Sequence, residues 1–177
     1  MMKIGEYEWD PNKDLLSANG ASALVYRARN EDAKHVALKI FKDSIVKGDA
    51  KANSKRKKLE EQFEMLEKLS HNNIVRHESL LYLETTNQFN QEVECPVLVM
   101  EFASEGSLVD YLQKNPTTPH REKLIWDIME GLKFLHKKGI IHRDLKPENI
   151  LIMKDAEGLP VGKISDFGIS KDTINTG

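Results

Sequence analysis

The stretch that most limits what this chain can fold into is GIIHRDLKPENILI, residues 139–152. Ile140-Ile141 at one end and Ile150-Leu151-Ile152 at the other favour burial, while the eight residues between them, His142 to Asn149, are nearly all polar or charged. A purely structural connection favours Gly, Ser, Asn or Asp for its turn geometry. This one sets an acid, a base and an amide at fixed spacing between two anchors, the arrangement of a loop that carries chemistry.

The flanking sequence changes character along the chain. The first hundred residues predict about five strands and one helix. Leu15-Leu16 leads to Asn19-Gly20, a strong hairpin signal between apolar runs. Residues 23–26 and 36–41 read as the next two strands, with Asn30-Glu31-Asp32 turning between them. Residues 78–84 and 96–102 read as two more, and the Phe89–Cys95 stretch reads as a surface connection. A helix is expected from Ala50 to Leu69, with Leu59, Phe63, Leu66 and Leu69 on one stripe. Lys51, Lys55, Arg56, Lys57 and Lys58 oppose its dipole, so its first turns are expected to fray. No aromatic residues are interleaved with that basic run, which reads as a solvated face.

Beyond residue 102 the pattern turns helical. Ser107-Leu108-Val109-Asp110 is a capping box with Asp in place of Glu. It opens a short helix that Pro116 ends. Thr118-Pro119 sets a cap and a first-turn proline for a helix to Lys138, with Leu124, Ile128, Leu132 and Leu135 on one stripe and Gly139 as its left-handed cap. The Lys154–Val161 insert reads as another surface connection.

Composition narrows the functional classes. Twenty-six basic and 28 acidic residues leave a net charge of −2, so no global field favours nucleic acid or an anionic membrane. No apolar run reaches spanning length, and the start, MMKIGEYEWD, lacks a secretory h-region. One cysteine, Cys95, excludes an internal disulfide framework and fits a reducing compartment, cytoplasmic or nuclear.

Two further centres join the loop. Lys39 closes Val36-Ala37-Leu38-Lys39, and Asp166 opens Asp166-Phe167-Gly168 after a strand-like run. Such groups suit phosphoryl transfer, which is mostly positioning and electrostatics. Asp144 suits acceptance of the proton of the attacking hydroxyl. Asp166 and Asn149 supply the hard oxygen ligands that Mg2+ selects, and the Lys39 ammonium suits phosphate.

With these residues in this order, the chain resembles the eukaryotic-type serine/threonine protein kinases, whose marks are the strand-three lysine, H-R-D-L-x-x-x-N and D-F-G. The resemblance covers about residues 9–171. It implies an α+β kinase-like fold: a five-stranded antiparallel small lobe with one long helix over 1–102, its hinge at the end, then the first, mainly helical part of the large lobe over 103–177. It implies transfer of the ATP γ-phosphate to protein hydroxyls, with ATP and Mg2+ as cofactors. Catalytic roles fall to Asp144, Lys146 and Lys39, and metal binding to Asn149 and Asp166. Nucleotide contacts fall to Gly20, Val25, Ala37, Lys39, Met100, Glu101, Ala103 and Leu151. Lys146, two residues after Asp144, matches the serine/threonine-directed subgroup. His142 reads as packing beneath the loop; the other five histidines have no metal-ligand spacing.

Three departures from the family pattern are legible. The phosphate-covering loop retains only its middle glycine, Gly20, and a positive φ at Ala18 would cost about 1–2 kcal/mol. The family's helix glutamate, nine residues before His71, is Gln62, so Lys39 is expected to be held more loosely and transfer to be slowed. Only nine residues follow Gly168. A fragment of a longer kinase, or a short protein whose exposed large-lobe face is covered by a partner or second copy, is therefore expected, with little activity in the 177-residue chain itself. Ser170, Thr173 and Thr176 stand where an activation loop would begin. The alternative function is a kinase-shaped binding module that holds nucleotide without transferring phosphate. Its partners would be a protein substrate or another kinase, with no nucleic acid or membrane.

Overall fold

A computed structural model of the chain describes residues 1–20 and 23–167. It divides into two compact units. Among the described residues the first comprises Met1–Lys68 and His77–Phe102, the second Leu69–Arg76 and Ala103–Phe167.

The first unit is an eight-stranded antiparallel sheet with one helix. Its strands are β1 (Met2–Ile4), β2 (Tyr7–Trp9), β3 (Leu15–Gly20), β4 (Ala23–Arg29), β5 (His35–Phe41), β6 (Ile45–Val46), β7 (His77–Thr86) and β8 (Glu92–Glu101). Helix α1 spans Ala52–Glu67. The five anticipated strands are all present, and three short ones, β1, β2 and β6, add to them.

β-strand alternation gives this sheet two faces with different duties. On one, Tyr26, Ala28, Val36, Leu38, Val97 and Val99 form a core closed over by Tyr7 and Trp9 of β2. Trp9 is 1% exposed and its ring lies 6.3 Å from that of Tyr26. The β1–β2 hairpin is therefore part of the fold, and its period-2 pattern, Tyr7 and Trp9 buried around exposed Glu8, is the signal for it. The opposite face carries Ala37, Lys39 and Phe41.

Several local expectations shift. Asn19-Gly20 does not make the hairpin turn: both lie in β3, where Gly20 pairs with Ala23 and the register against β4 shifts between Leu15 and Gly20. Ala18 lies in β3 and is not among the positive-φ residues, so the anticipated strain there does not arise. The β7–β8 turn is shorter than anticipated, residues 87–91, closed by Asn87 and Gln91. Val93, expected in a loop, is buried in β8.

In the second unit the capping box forms as read. Ser107 Oγ accepts from the Asp110 N–H at 3.2 Å, and Asp110 Oδ2 accepts from the Ser107 N–H at 2.9 Å. It opens α2 (Leu108–Lys114). Helix α3 spans Arg121–Lys137, starting two residues later than Thr118-Pro119 suggests. The Thr118 hydroxyl is engaged instead with the His120 N–H and the Tyr111 hydroxyl, an ST-type turn rather than a helix cap. Its end is as expected: Gly139 has φ +73°, its N–H donates to His136 O, and the Ile140 N–H donates to Leu135 O at 2.9 Å, a Schellman closure. Strands β9 (Ile150–Lys154) and β10 (Pro160–Ile164) form an antiparallel hairpin.

The α3 stripe is better covered than expected. Leu124 and Leu135 are buried, and Gly131 lets the helix backbone lie against Asn73 O and the Ile164 side chain. The apolar surface left open on α3 is the neighbouring stripe, Ile125, Trp126 and Met129, each more than half exposed.

Candidate active site

In the second unit the polar stretch is held by few, well-placed bonds. Pro147 begins a 3-10 turn (Pro147–Asn149) that suits its fixed φ, and the Asn149 N–H closes it onto Lys146 O at 2.9 Å. Of the anchors, Ile150 and Ile152 are buried, whereas Ile141 is 68% exposed; the true upstream anchor is His142.

His142 is 7% exposed. Its Nδ1 accepts from the Asp144 N–H at 3.2 Å, which assigns the ring proton to Nε2, and Nε2–H donates to Ser165 O at 2.6 Å. Ser165, also buried, donates from both its N–H and its hydroxyl to Asn149 O, each at 2.9 Å. Three separate pieces of chain, at 142, 149 and 165, are thereby stitched together. Phe167 is buried, its ring 6.1 Å from His142.

Those bonds fix where Asp144, Asn149 and Asp166 emerge. Asn149 is 5% exposed and turns its Nδ2 to Asp144, donating to the main-chain O at 2.8 Å and to Oδ2 at 3.2 Å. The other end of the same amide, Oδ1, is an acceptor. Lys146 Nζ stands 3.4 Å from Asp144 Oδ2, with side chains 49% and 64% exposed; a pair so open to water contributes under about 1 kcal/mol to stability. Asp144 thus carries an amide donor and an ammonium on a carboxylate that still faces solvent.

Backbone strain marks the same place. Among the described residues four non-glycines have positive φ: Ala33, Asn90, Arg143 (65°) and Asp166 (60°). The first two sit in surface turns. Arg143 directly precedes Asp144, Asp166 is the second carboxylate itself, and left-handed backbone costs such residues about 1–2 kcal/mol. Strain held at this place by the bonds of His142 and Ser165 is the pattern of a functional site.

Leu151, in β9, pairs with Ser107, and flanking bonds join Glu105 N–H to Ile152 O and Ile152 N–H to Gly106 O. Ala103 lies at the start of this unit. The other residues singled out from the sequence lie in the first unit. Val25 pairs with Lys39, and Ala37 with Met100. Directly paired residues share a face, so Val25, Ala37, Lys39 and Met100 form one patch. Glu101 pairs with Val36 and so projects to the other face. Gly20 ends β3. Gln62 is half-buried on α1. Gly168, Ser170, Thr173 and Thr176 lie outside the described residues.

Among the described residues no three His, Cys, Asp or Glu side chains gather into a ready metal cage. A magnesium site of one carboxylate and one amide, completed by substrate phosphates and water, does not require one.

Comparison with known proteins agrees with this geometry. The family model "Protein kinase domain" matches residues 18–177. The chain is 33% identical over 177 residues to mouse inhibitor of nuclear factor kappa-B kinase subunit epsilon, covering 97% of this chain and 23% of that protein. It is 35% identical over 169 residues to the serine/threonine-protein kinase unc-51 of Caenorhabditis elegans, covering 90% of this chain and 18% of that one. Among solved structures, Rad53 1-466 in complex with AMP-PNP matches with a TM-score of 0.64 at 30% identity, over 90% of this chain and 38% of that one. The chain belongs to the protein kinase domain family. It spans about a fifth of the length of these two curated relatives.

No helix among the described residues is long and apolar enough to cross a membrane.

Proposed function

We propose that this chain is the nucleotide-binding and catalytic part of a serine/threonine protein kinase that transfers the ATP γ-phosphate to protein hydroxyls. The observation that carries the reading is the stitched loop. Bonds from His142, Ser165 and Asn149 hold Asp144, just after the left-handed Arg143, and the left-handed Asp166 in place, at the cost of fold stability.

In this reading Asp144 orients the attacking hydroxyl and takes its proton, with Asn149 fixing the carboxylate. Lys146, 3.4 Å from that carboxylate, balances charge building on the transferred phosphoryl group. Asn149 Oδ1 and the Asp166 carboxylate are the ligands for Mg2+, which when bound neutralises phosphate charge. In the first unit, Val25, Ala37 and Met100 offer apolar area to an adenine ring. Lys39, on the same face, binds phosphate, and the backbone of Glu101 and Ala103 offers hydrogen bonds to the base. Gly20 covers the phosphates, and Leu151 offers apolar area to the nucleotide.

A second reading, a kinase-shaped module that binds nucleotide without transfer, is favoured by one substitution, Gln62 in place of the helix carboxylate. Phosphotransfer by the full-length gene product, measured beside Asp144→Asn, separates the two. Signal above that control supports the enzyme. No signal, with thermal stabilisation by ATP–magnesium intact, supports the module.

A further inference from the structure

Helix α1 needs an external hold. It has no side-chain N-cap, no acidic residue in its first turn and no basic residue in its last, and its basic run sits at the positive end of the dipole. Its ion pair Lys57–Glu61 is long, 3.9 Å, exposed, and in the less favourable order, basic residue first. Only Leu59 and Leu66 are buried. A helix of this kind owes its place to docking.

The docking concentrates on Arg56. Its guanidinium carbon lies 4.2 Å from the centre of the Tyr82 ring, and its Nη2 lies 3.2 Å from Glu94 Oε2, on a side chain only 12% exposed. Burial, reinforced by the Glu60 charge, pushes the Tyr82 phenol up to about 12, so the ring facing the cation stays neutral. Upstream, β6 pairs with β8, the Lys47 N–H donates to Glu92 O, and Lys47 Nζ lies 2.8 Å from Glu84. The strand registers put these grips on one face. Lys39 stands opposite Leu98, Tyr82 opposite Pro96 and Glu84 opposite Glu94, so Tyr82, Glu94 and Lys39 share a side of the sheet.

Arg56 and Gln62 are six residues apart, hence about 9 Å along the helix and about 120° around it, with buried Leu59 midway. Whatever fixes the rotation of α1 at Arg56 also fixes where Gln62 points.

We propose that Arg56 is a positioning residue: gripped by Tyr82 and Glu94, it sets α1 on the Lys39 face of the sheet, performing the task a carboxylate at position 62 would share by pairing with Lys39. The proposal rests on the reading that Lys39 binds nucleotide phosphate.

The test measures ATP–magnesium affinity and amide exchange over Ala52–Glu67 in the full-length protein. Arg56→Ala is expected to weaken affinity about tenfold and to speed exchange in α1 but not in β4 or β5. Adding Gln62→Glu should recover most of that affinity, because a carboxylate facing Lys39 gives the helix a second, charge-assisted hold; a merely structural arginine would not be rescued from there. Should Arg56→Ala not fold, Arg56→Lys replaces it, keeping the charge but losing the planar stack, with a loss of about threefold. Affinity within twofold of the parent in the folded variant, or no response to Gln62→Glu, overturns the proposal. Lys39→Met is the control for the underlying reading. If it leaves affinity unchanged, that reading fails, and the α1 exchange rates alone decide whether Arg56 holds the helix.

Discussion

Helices α1 and α3 are almost equal in length, 16 and 17 residues, and are held in opposite ways. Helix α3 has Glu122 in its first turn, His136 and Lys137 in its last, and a Schellman end. Its backbone is sunk at Gly131, and Asp127 Oδ2 accepts from both the Gly162 N–H at 2.9 Å and Lys123 at 2.8 Å. Helix α1 lacks the favourable end charges, the Schellman end and the sunken glycine; it buries Leu59 and Leu66, and its Arg56 meets Tyr82 and Glu94. The difference teaches where the molecule is rigid. The helix that leads into the His142–Asn149 loop is built into its surroundings, whereas the helix carrying Gln62 is attached by a few side chains and is the cheaper of the two to shift.

The sharpest way to break this comparison is Gly131→Ala. Alanine favours a helix over glycine by about 1 kcal/mol, but here its Cβ would lie 2.7 Å from Asn73 O and 2.9 Å from Ile164 Cδ1. The clash should win, with a net loss of about 2 kcal/mol in urea unfolding. A neutral or stabilising result would mean that α3 is not packed as tightly as described.

Ser107→Ala probes a capped helix and should cost about 1 kcal/mol. Lys51→Asp probes the uncapped one and should gain about 0.5 kcal/mol, by replacing an adverse charge with a favourable one at the positive end of the dipole. If both changes are neutral, N-terminal capping does not distinguish α2 from α1.

The smallest effect is in pH. The two Ser107 bonds hold the Asp110 carboxyl below its usual range, the side-chain bond first and the backbone bond second. A carboxylate with a depressed folded value stabilises above its unfolded value, and that contribution fades as pH falls toward the folded one. Acid titration of stability should therefore be shallower in Asp110→Asn than in the parent. Identical slopes would exclude Asp110 from the acid transition.

Much of this was legible in the sequence, because the signals were local. The capping box and the Gly139 cap each depend on residues within about one turn of one another, and they form where their spacing says. What was missed depended on distant partners. Strands β1, β2 and β6 are two or three residues long; only β2 shows a period-2 pattern, over three residues, and β2 and β6 pair with edges that β4 and β8 offer. Asn19-Gly20 carried a turn signal, but both residues are taken into β3, whose register against β4 shifts between Leu15 and Gly20. On α3 the sequence offered two apolar stripes, and only Asn73 and Ile164, remote in sequence, decide which is covered. Ser165 was not singled out for a role, since nothing near it in sequence shows that its N–H, hydroxyl and carbonyl would tie three segments together. The role of Arg56 was hidden in a run of basic residues that reads as solvated.

The most direct test sets phosphoryl transfer at saturating ATP–magnesium against nucleotide affinity in Asp144→Asn of the full-length protein. Loss of the proton acceptor should lower transfer by about 10²–10⁴-fold while affinity stays within about twofold, since Asp144 touches the hydroxyl and not the nucleotide in this account. Transfer that survives the substitution, or that falls only in step with affinity, would contradict it.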